Sequence, residues 1–254
     1  MQNQSPAGKR TAFVTGASYG IGAATALALA RDGFDVAVAA TRVENLADVV
    51  AKLTSMGTRV VPVALNLGSH SSIEQAMATV IDAFGKVDVL VNNAGISNRK
   101  AAVDITPEEW EAVMQTNVTG TFFMCQQMGR HLVGGGRPGS IVNMASTHGV
   151  VGLAGRLIYG TSKAAIIHMT KMLAIEWAQH GIRVNAIAPG TVETPSRAVF
   201  LADPKTRETM LNRVPLHRFG TAEEVAAAVR YLVSPEAAYI TGHTLMMDGG
   251  LTAY

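Results

Sequence analysis

Residues 11–31 read TAFVTGASYGIGAATALALAR, and this segment is the strongest indicator of the fold. Its first five residues predict a strand at Thr11–Thr15, and Ala23–Arg31 has the composition of a helix. Between them, Thr15–Gly22 forms a glycine-rich loop. Glycines allow a tight turn and a close approach of the backbone to a pyrophosphate, which then lies at the helix N-terminus. A strand before the loop and a helix after it are the context of a dinucleotide-binding turn.

Further apolar segments follow, with helical patterns between them. Most are nearly continuous in apolar residues, which is typical of strands covered on both faces in a parallel sheet. We predict strands at Thr11–Thr15, Asp35–Ala40, Arg59–Leu65, Val87–Asn92, Ser140–Ala145, Arg183–Ala188 and Thr244–Met247. No long linker interrupts the alternation. The pattern predicts an α/β fold: a single doubly wound (Rossmann) domain over residues 1–254, with about seven parallel strands and helices on both faces.

Two kinds of residue mark the helix boundaries. A glycine stands before several strands, where a helix ends in a left-handed residue: Gly33, Gly57, Gly85 and Gly181. Capping boxes predict helix starts at Ser71-x-x-Glu74, Thr106-x-x-Glu109 and Thr221-x-x-Glu224.

Composition excludes several classes of protein. The chain has 254 residues, a net charge of +2 and no Lys/Arg block, so it predicts no nucleic-acid partner and no anionic membrane partner. No apolar run reaches the ~18 residues needed to span a bilayer, and residues 1–8 lack the apolar core of a signal peptide. The one cysteine, Cys125, excludes an internal disulfide and predicts a packed core thiol in a reducing compartment. We expect a soluble, cytoplasmic protein.

Tyr159 and Lys163 are four residues apart in a helical segment, which places both side chains on one face. An ammonium beside a phenol favours the phenolate, so the pair predicts a tyrosine that exchanges its proton. Alone, the spacing is a weak signal, because chance matches are common and an aromatic–lysine contact on an exposed helix accounts for most of them. Three strand ends support the functional interpretation, because ligands of such sheets bind beyond the carboxyl ends of the strands. These ends are Asn92-Asn-Ala-Gly95, Asn143-Met-Ala-Ser146 and Ala188-Pro-Gly190.

With these segments in this order, the chain resembles the short-chain dehydrogenase/reductase family, from about Lys9 to Gly250. The resemblance rests on Thr15–Gly22, Asn92–Gly95, Asn117, Ser146, Tyr159 with Lys163, Pro189-Gly190, and a C-terminal signature at Tyr239–Gly242 and Met247–Gly250. It implies hydride transfer between a nicotinamide cofactor and a secondary alcohol or ketone.

The resemblance also implies a role for each site residue. Tyr159 is the general acid/base, and Ser146 hydrogen-bonds the reacting oxygen. Lys163 assists the tyrosine and binds the nicotinamide ribose. Asn117 anchors a water on a proton path, or else is only a buried asparagine at a helix kink. The implied cofactor contacts are Gly16, Ser18, Tyr19, Gly20, Ile21, Gly22, Thr41, Arg42, Asn66, Leu67, Asn93, Ala94, Gly95, Tyr159, Lys163, Pro189, Gly190, Val192 and Thr194. No metal is implied.

The end of the second predicted strand bears on the choice of cofactor. An NAD site usually has a carboxylate about 20 residues after the glycine loop, to bind the ribose hydroxyls. Ala40 stands there, and Arg42 follows as a candidate partner for a 2′-phosphate. The sequence therefore favours NADP(H), with NAD(H) possible, since Thr41 and Tyr19 occupy the usual basic positions.

The substrate is a small ketone or alcohol, and its identity lies in loops. A lid is expected near 191–217, where Pro195–Pro215 has poor strand character. Arg99, Lys100, Arg156, Arg197 and His148 lie near the expected mouth, either as ligands of an anionic or polyol substrate or as solvated charges. The chain is similar to 3-oxoacyl-carrier-protein reductases and to sugar or polyol dehydrogenases, but His180 replaces a basic residue expected to dock an acidic carrier.

Three further expectations remain open. A homotetramer is implied by the resemblance, through Ala164–Trp177 and Leu251–Tyr254. A non-catalytic NADP-binding sensor is the first rival, although such a protein would be expected to have lost Ser146, Tyr159 or Lys163. A nucleotide-sugar epimerase or lyase is the second, although such relatives usually add a C-terminal substrate domain.

Overall fold

Seven strands form one parallel sheet in the computed structural model, which describes residues 9–253, apart from the side chains of residues 199 and 200. The strands are β1 Thr11–Thr15, β2 Asp35–Ala40, β3 Val60–Ala64, β4 Val89–Asn92, β5 Gly139–Met144, β6 Ile182–Pro189 and β7 Thr244–Met247. Their order across the sheet is β3-β2-β1-β4-β5-β6-β7. From β1 to β3 successive strands are added on one side of β1, and from β4 onward they are added on the other side. The ligand crevice of a doubly wound sheet is expected at this switch point between β1 and β4.

Helices connect the strands. They are α1 Gly20–Arg31, α2 Ala47–Ser55, α3 His70–Phe84, α4 Pro107–Met114, α5 Thr121–Gly134, α6 Leu157–Trp177, α7 Ala198–Leu201, α8 Pro204–Leu211 and α9 Ala222–Val233. One apolar cluster joins α1, α2 and α9 to one face of the sheet, and a second joins α3 and α5 to the other face. The predicted fold class is thereby confirmed, with both faces of the sheet covered.

The predicted strands agree in number and differ at some ends. β1, β2 and β7 have the predicted bounds, whereas β4 begins at Val89 rather than Val87. The reason is that the side chain of Asp88 accepts a hydrogen bond of 2.8 Å from the backbone of Thr11, where a longer β4 would pair. Pro62 within β3 is tolerated because β3 is an edge strand. β3 is shorter than predicted, β5 is displaced by one residue, and β6 is one residue longer at each end.

Two predicted helix starts are wrong. Helix α1 begins at Gly20, three residues before Ala23, so the last glycines of the loop already belong to the helix. Helix α3 is capped by Ser69, whose hydroxyl accepts a hydrogen bond from the backbone of Ser72, and not by Ser71. The motif Ser71-x-x-Glu74 does not mark the start, because Ser71 already lies within the helix. Ser69 has the extended backbone that a cap requires.

The other boundary predictions are confirmed. Thr106 and Thr221 form complete capping boxes with Glu109 and Glu224. The four glycines predicted before strands all have a left-handed backbone, with φ between 70° and 85°: Gly33, Gly57, Gly85 and Gly181.

Cys125 is fully buried in the cluster around α5, and burial raises the pKa of its thiol to about 12. It is therefore a core thiol, as predicted. Its Sγ lies 3.2 Å from Nδ2 of Asn92, which also donates a hydrogen bond of 2.9 Å to Asn143 across β4 and β5. Within residues 9–253 no helix combines the length and the hydropathy needed to cross a membrane. Two predictions fall partly or wholly outside the described residues: the lack of a signal-peptide core in residues 1–8, and the tetramer contact that ends at Tyr254.

Candidate active site

A cavity of about 620 Å³ opens at the carboxyl edge of the sheet, beside the ends of the neighbouring strands β1 and β4. Most of the residues predicted for the site line it: Gly16, Ser18, Tyr19, Gly20, Ile21, Thr41, Asn66, Leu67, Asn93, Ala94, Gly95, Ser146, Tyr159, Lys163, Pro189, Gly190, Val192 and Thr194. Three predicted residues do not line it: Gly22, Arg42 and Asn117.

Asn93 fastens the glycine loop to the end of β4. Its Nδ2 donates hydrogen bonds to the carbonyl oxygens of Thr15 at 3.0 Å and Gly16 at 2.9 Å. In return, the hydroxyl of Thr15 accepts from the backbone of Asn93 and Ala94, both at 3.1 Å. The two loops that border the crevice are thus joined by four hydrogen bonds.

Gly22 serves this joint rather than the cavity. A Cβ added there would overlap the carbonyl oxygen of Gly16 and lie 2.7 Å from Nδ2 of Asn93. Gly16 has a left-handed backbone with φ 65°, and its own Cβ would lie 2.8 Å from Cα of Ala94. The two glycines are therefore required by the close approach of chain segments.

The N-terminus of α1 fits a pyrophosphate. Tyr19 stands in the cap position but its side chain makes no capping hydrogen bond, and the first turn of the helix carries no acidic residue. By contrast, α3, α4, α8 and α9 are capped by the side chains of Ser69, Thr106, Asp203 and Thr221. The first N–H groups of α1 therefore lack a side-chain cap at the edge of the cavity, where an anionic group gains from both the donors and the helix dipole.

Lys163 is held rigidly beneath Tyr159. It is only 5% exposed, and its Nζ donates a hydrogen bond of 2.7 Å to the carbonyl oxygen of Met144. The same nitrogen lies 5.6 Å from the centre of the Tyr159 ring. Burial lowers the pKa of Lys163, and the charge of Tyr159 opposes this effect. The predicted one-turn spacing on α6 thus brings ammonium and phenol to the same wall of the cavity.

Ser146 comes two residues after the end of β5, and it lines the cavity. Its hydroxyl oxygen accepts a hydrogen bond of 3.2 Å from the backbone of His148. A serine hydroxyl carries one donor in addition to its acceptor sites, so this bond leaves its O–H available to a ligand. Ser146 is 6% exposed. Its proton therefore has few alternatives to a partner inside the cavity.

Asn117 lies behind the site in a short π-helical turn, Gln115–Gly120. Its Nδ2 donates to the carbonyl oxygen of Ile96 at 2.8 Å and to the hydroxyl of Ser162 at 3.0 Å, while Oδ1 accepts from the backbone of Ile96 at 2.8 Å. Both amide protons are thus used by the protein. These contacts favour the structural alternative for the side chain, which ties the loop after β4 to α6.

The far end of the cavity lies beyond β2 and β3. Ala39, Ala40 and Thr41 line it, and no residue among those lining the cavity carries a carboxylate. Arg42 is exposed and does not line this cavity, although it adjoins Thr41. Asn45 does line it and was not predicted, because it lies beyond the strand end on which the sequence argument concentrated.

Other residues that the motifs do not mark also line the cavity. They are Leu65, Ile96, Ser97, Thr116, Met144, Ala145, Ser196 and Arg197. Half of them, Leu65, Ile96, Thr116 and Ala145, directly adjoin a predicted residue, so a search one position to either side of each predicted residue finds these four. Arg197 is the only charged residue in this group. The sequence had placed it near the mouth without choosing between ligand and solvated charge.

His148 lies beside the tyrosine, with its ring centre 6.1 Å from that of Tyr159 in an edge-on arrangement. Burial, followed by the positive charges of Arg156, Arg197 and Arg213, lowers the pKa of His148 to about 4. The ring is therefore neutral at neutral pH. Its Nδ1 has no hydrogen-bond partner among the described residues.

Lys100 also contributes no free charge, because it pairs with Glu109 at 2.8 Å. In residues 9–253 no cluster of three or more His, Cys, Asp or Glu side chains is arranged to bind a metal ion.

Comparison with known proteins identifies the family. The family model described as enoyl-(acyl carrier protein) reductase matches residues 16–252. The chain is 40% identical over 242 residues to a 3-oxoacyl-(acyl-carrier-protein) reductase of Thermotoga maritima, covering 95% of this chain and 97% of that one. It is 38% identical to a glucose 1-dehydrogenase of Gluconobacter oxydans, covering 98% of this chain and 93% of that one.

Solved structures agree with these matches. A variant of actinorhodin polyketide ketoreductase with NADPH superposes with a TM-score of 0.91 at 36% identity, covering 97% of this chain and 98% of that one. A short-chain type dehydrogenase/reductase of Mycobacterium marinum gives a TM-score of 0.88 at 34% identity, covering 97% and 96%.

The fold, the cavity at its switch point and these matches define a nicotinamide-dependent oxidoreductase that acts on CH–OH and C=O groups. The chain belongs to the short-chain dehydrogenase/reductase family. The resemblance noted in the sequence is therefore confirmed.

Proposed function

We propose that this protein interconverts a ketone and a secondary alcohol with NADP(H), using Tyr159 as the general acid and base. The observation that carries the proposal is the wall formed by Tyr159, Ser146 and Lys163 in one cavity, with the lysine fixed to Met144 at 2.7 Å. A proton donor, a second hydroxyl and a buried cation beside one space are what carbonyl reduction requires.

The two hydroxyl groups divide the work on the carbonyl oxygen. During reduction Tyr159 donates its proton to that oxygen, and it takes the proton back during oxidation. Ser146 donates its free O–H to the same oxygen and holds it in place as negative charge develops. Bound nicotinamide supplies or accepts the hydride.

Lys163 keeps two N–H donors after its bond to the Met144 carbonyl oxygen. In this proposal one of them binds a ribose hydroxyl of the cofactor, and the positive charge stabilises the phenolate of Tyr159. Because the side chain is buried and anchored, it keeps its position throughout the reaction.

The preference for NADP(H) is supported by the absence of a carboxylate among the residues lining the cavity, together with Ala40 at the end of β2. Thr41 and Asn45 line the adenosine end, and Arg42 adjoins it from an exposed position. An arginine side chain at this place is long enough to fold over a 2′-phosphate, for which its geometry is suited. One structural relative, the actinorhodin ketoreductase variant, carries NADPH.

The remaining features of the proposal concern the lid and the assembly. Residues 191–217 form the lid, in which α7 and α8 are short and Arg207 of α8 is held to Glu193 at 2.7 Å.

A homotetramer is supported by apolar side chains exposed on α6, with Met172 at 56% and Ile175 at 78%. A cytoplasmic location is supported by the free, buried Cys125.

A 3-oxoacyl-carrier-protein reductase is the alternative to a small-molecule reductase, and our proposal does not favour it. Relatives of nearly equal similarity include a 3-oxoacyl-(acyl-carrier-protein) reductase and a glucose 1-dehydrogenase, so overall identity does not separate the two classes. His180 stands in place of Arg or Lys at the position where an acidic carrier is expected to dock.

The test is the initial rate of cofactor oxidation with a panel of ketones, measured with NADPH and with NADH. We expect turnover, with a higher kcat/KM for NADPH. Tight NADPH binding without oxidation by any ketone would favour the sensor. Product formation with the cofactor unchanged after a full turnover would favour an epimerase or lyase. Sedimentation as a monomer would contradict the tetramer.

A further inference from the structure

Three arginines from separate segments influence the same side chain, His148, which lies beside Tyr159. Arg156 directly precedes α6, Arg197 lies just before α7, and Arg213 follows α8. All three charges lower the pKa of His148, after the larger effect of burial. The geometry places two of them at the site: Arg197 lines the cavity, and Arg156 donates a hydrogen bond to Ser97, which also lines it. The His148 ring centre is 6.1 Å from that of Tyr159.

These charges are not neutralised by the protein. Among the described residues, the ion pairs of other arginines include Arg207 with Glu193, Arg218 with Glu224 and Arg230 with Asp32. No carboxylate in the described part of the chain forms an ion pair with Arg156, Arg197 or Arg213. No acidic group offsets their effect on His148 either. Arg197, which lines the cavity, and Arg156, which lines a neighbouring pocket together with His148, therefore give this end of the site an excess of positive charge.

Arg156 is held in place by a neighbouring loop. Its Nη1 donates hydrogen bonds to the hydroxyl of Ser97 at 2.7 Å and to the carbonyl oxygen of Asn98 at 3.2 Å. Ser97 itself lines the cavity. The Nε of Arg156 is buried and has no hydrogen-bond partner within residues 9–253. A solvated surface arginine would show neither the fixed position nor the buried, unpaired donor, so this side chain is not a simple solubilising charge.

We propose that the substrate carries an anionic group, a carboxylate or a phosphate, close to its reacting carbon, and that Arg156 and Arg197 bind this group. Arg213 adds to the attraction from the end of α8. The inference rests on the proposed function, because it concerns the substrate of the same site. Arg156 is the residue immediately before α6, and Tyr159 lies in the first turn of that helix. The anion is therefore expected within a few bonds of the carbonyl.

The two arginines have complementary positions. Arg156 comes from the start of α6, which is part of the rigid frame, whereas Arg197 comes from the lid and lines the cavity directly. An anion between them would join the lid to the frame. A guanidinium presents two parallel N–H groups that match a carboxylate or a phosphate, so binding would also orient the substrate.

The competing interpretation is that Arg197 binds the cofactor's pyrophosphate. Thr194 lies close to the glycine loop, since a Cβ added at Gly20 would be 3.2 Å from its Cγ2, and Arg197 follows three residues later. Arg156 has no such connection with the glycine loop. The two interpretations differ in which KM changes when Arg197 is replaced.

The test compares charged and neutral partners of the same ketone with NADPH as reductant. Acetoacetate is paired with its ethyl ester for the carboxylate, and dihydroxyacetone phosphate with dihydroxyacetone for the phosphate. We expect at least one charged compound to have a kcat/KM about 10- to 100-fold above its neutral partner, the effect of one charge-assisted hydrogen-bond pair. Malonate and inorganic phosphate, as unreactive anions, are expected to inhibit competitively against the ketone and not against NADPH.

Two variants and one control locate the effect. Arg156→Gln and Arg197→Gln are expected to lower kcat/KM for the charged compound at least about 10-fold more than kcat/KM for its neutral partner. Arg31→Gln is the control, because Arg31 is an exposed arginine at the end of α1, on the opposite edge of the sheet. It is expected to keep the full preference.

Three results would overturn the inference. They are equal turnover of charged and neutral partners by the unmodified protein, equal loss on both partners in the variants, and a rise in the KM for NADPH instead of the ketone when Arg197 is replaced. The first of these, with the neutral ketones reduced, leaves the proposed function intact. Absence of NADPH oxidation with any ketone refutes the proposed function and this inference together.

Discussion

The ammonium of Lys163 donates a 2.7 Å hydrogen bond to the carbonyl oxygen of Met144, the last residue of β5. This bond fastens α6 to the strand that also leads to Ser146. Tyr159, one turn away on the same helix, is thereby tied to the sheet.

Replacing Tyr159 by phenylalanine removes the proton donor and keeps the ring. We expect kcat to fall by about 10²- to 10⁴-fold, the usual contribution of a positioned general acid. The dissociation constant of NADPH, measured by fluorescence titration, is expected to change less than about 3-fold, because the aromatic wall remains. Tyr231→Phe, at an exposed position on α9, is the matched control. Full activity of Tyr159→Phe would exclude the mechanism.

Lys163→Met separates activity from stability. We expect kcat/KM to fall by at least about 100-fold, since the cation beside the phenol is lost. The free energy of unfolding is expected to change by no more than about 1–2 kcal/mol, because an apolar side chain of similar length replaces a buried charge that is costly to desolvate. Urea unfolding measures the second effect. A variant that loses activity only because it unfolds would contradict this division.

His148 predicts a dependence of stability on pH. Its pKa is about 4 in the native protein and 6.5 in the unfolded chain. Between these values the unfolded state binds more protons, so stability falls as the pH is lowered from 6.5 towards 4. The pKa difference corresponds to an upper limit of about 3 kcal/mol for the loss in the free energy of unfolding. The expected loss is smaller than this limit, because the ring is partly solvated.

The measurement is the free energy of unfolding at pH 7.5 and pH 5 for the unmodified protein and for His148→Gln. The variant is expected to lose less stability over this interval, and the two proteins are expected to differ little in slope above pH 7.5. Parallel curves across the whole range would show that His148 ionises equally in the folded and unfolded states.

Gly22→Ala tests the joint between the glycine loop and β4. The added methyl group would overlap the carbonyl oxygen of Gly16, so we expect the loop to be displaced and NADPH to bind at least about 10-fold more weakly. Gly134→Ala, near the end of α5, is the control, because a Cβ there would meet no atom within 4 Å. The control is expected to bind NADPH normally, and comparable weakening in both variants would argue against the packing explanation.

Ala40→Asp tests the choice of cofactor. A carboxylate at the end of β2 would bind ribose hydroxyls and repel a 2′-phosphate. The ratio of kcat/KM for NADPH to that for NADH is expected to fall by at least about 10-fold. An unchanged ratio would indicate that this strand end does not contact the cofactor's ribose.

The sequence predicts the frame of the molecule better than its substrate end. Val- and Ile-rich segments locate all seven strands, because a strand covered by helices on both faces is apolar at nearly every position. Glycines mark the helix ends before four of them. Ser146, Tyr159 and Lys163 were found because they follow strands or share a helix face. The cap of α3 was misassigned, since a serine at 69 and one at 71 differ only in backbone conformation.

Other features depend on contacts that no local pattern records. Arg213 acts on His148 from a segment 65 residues further along the chain. Asn117 was predicted by family resemblance, but only its three hydrogen bonds to Ile96 and Ser162 show that its amide protons are already in use. Arg42 was expected at the cavity and lies outside its lining, because an exposed side chain after a strand is not constrained by packing.

The four hydrogen bonds that Asn93, Ala94 and Thr15 contribute between the loops after β1 and β4 have a thermodynamic consequence. The floor of the nucleotide site is preorganised, so a dinucleotide need not pay the conformational entropy of ordering it. If residues 191–217 act as the proposed lid, that cost falls on this opposite side of the site. Binding of the nucleotide is thus expected to be fast and to leave the sheet unchanged, while the arrival of the second ligand carries the ordering step.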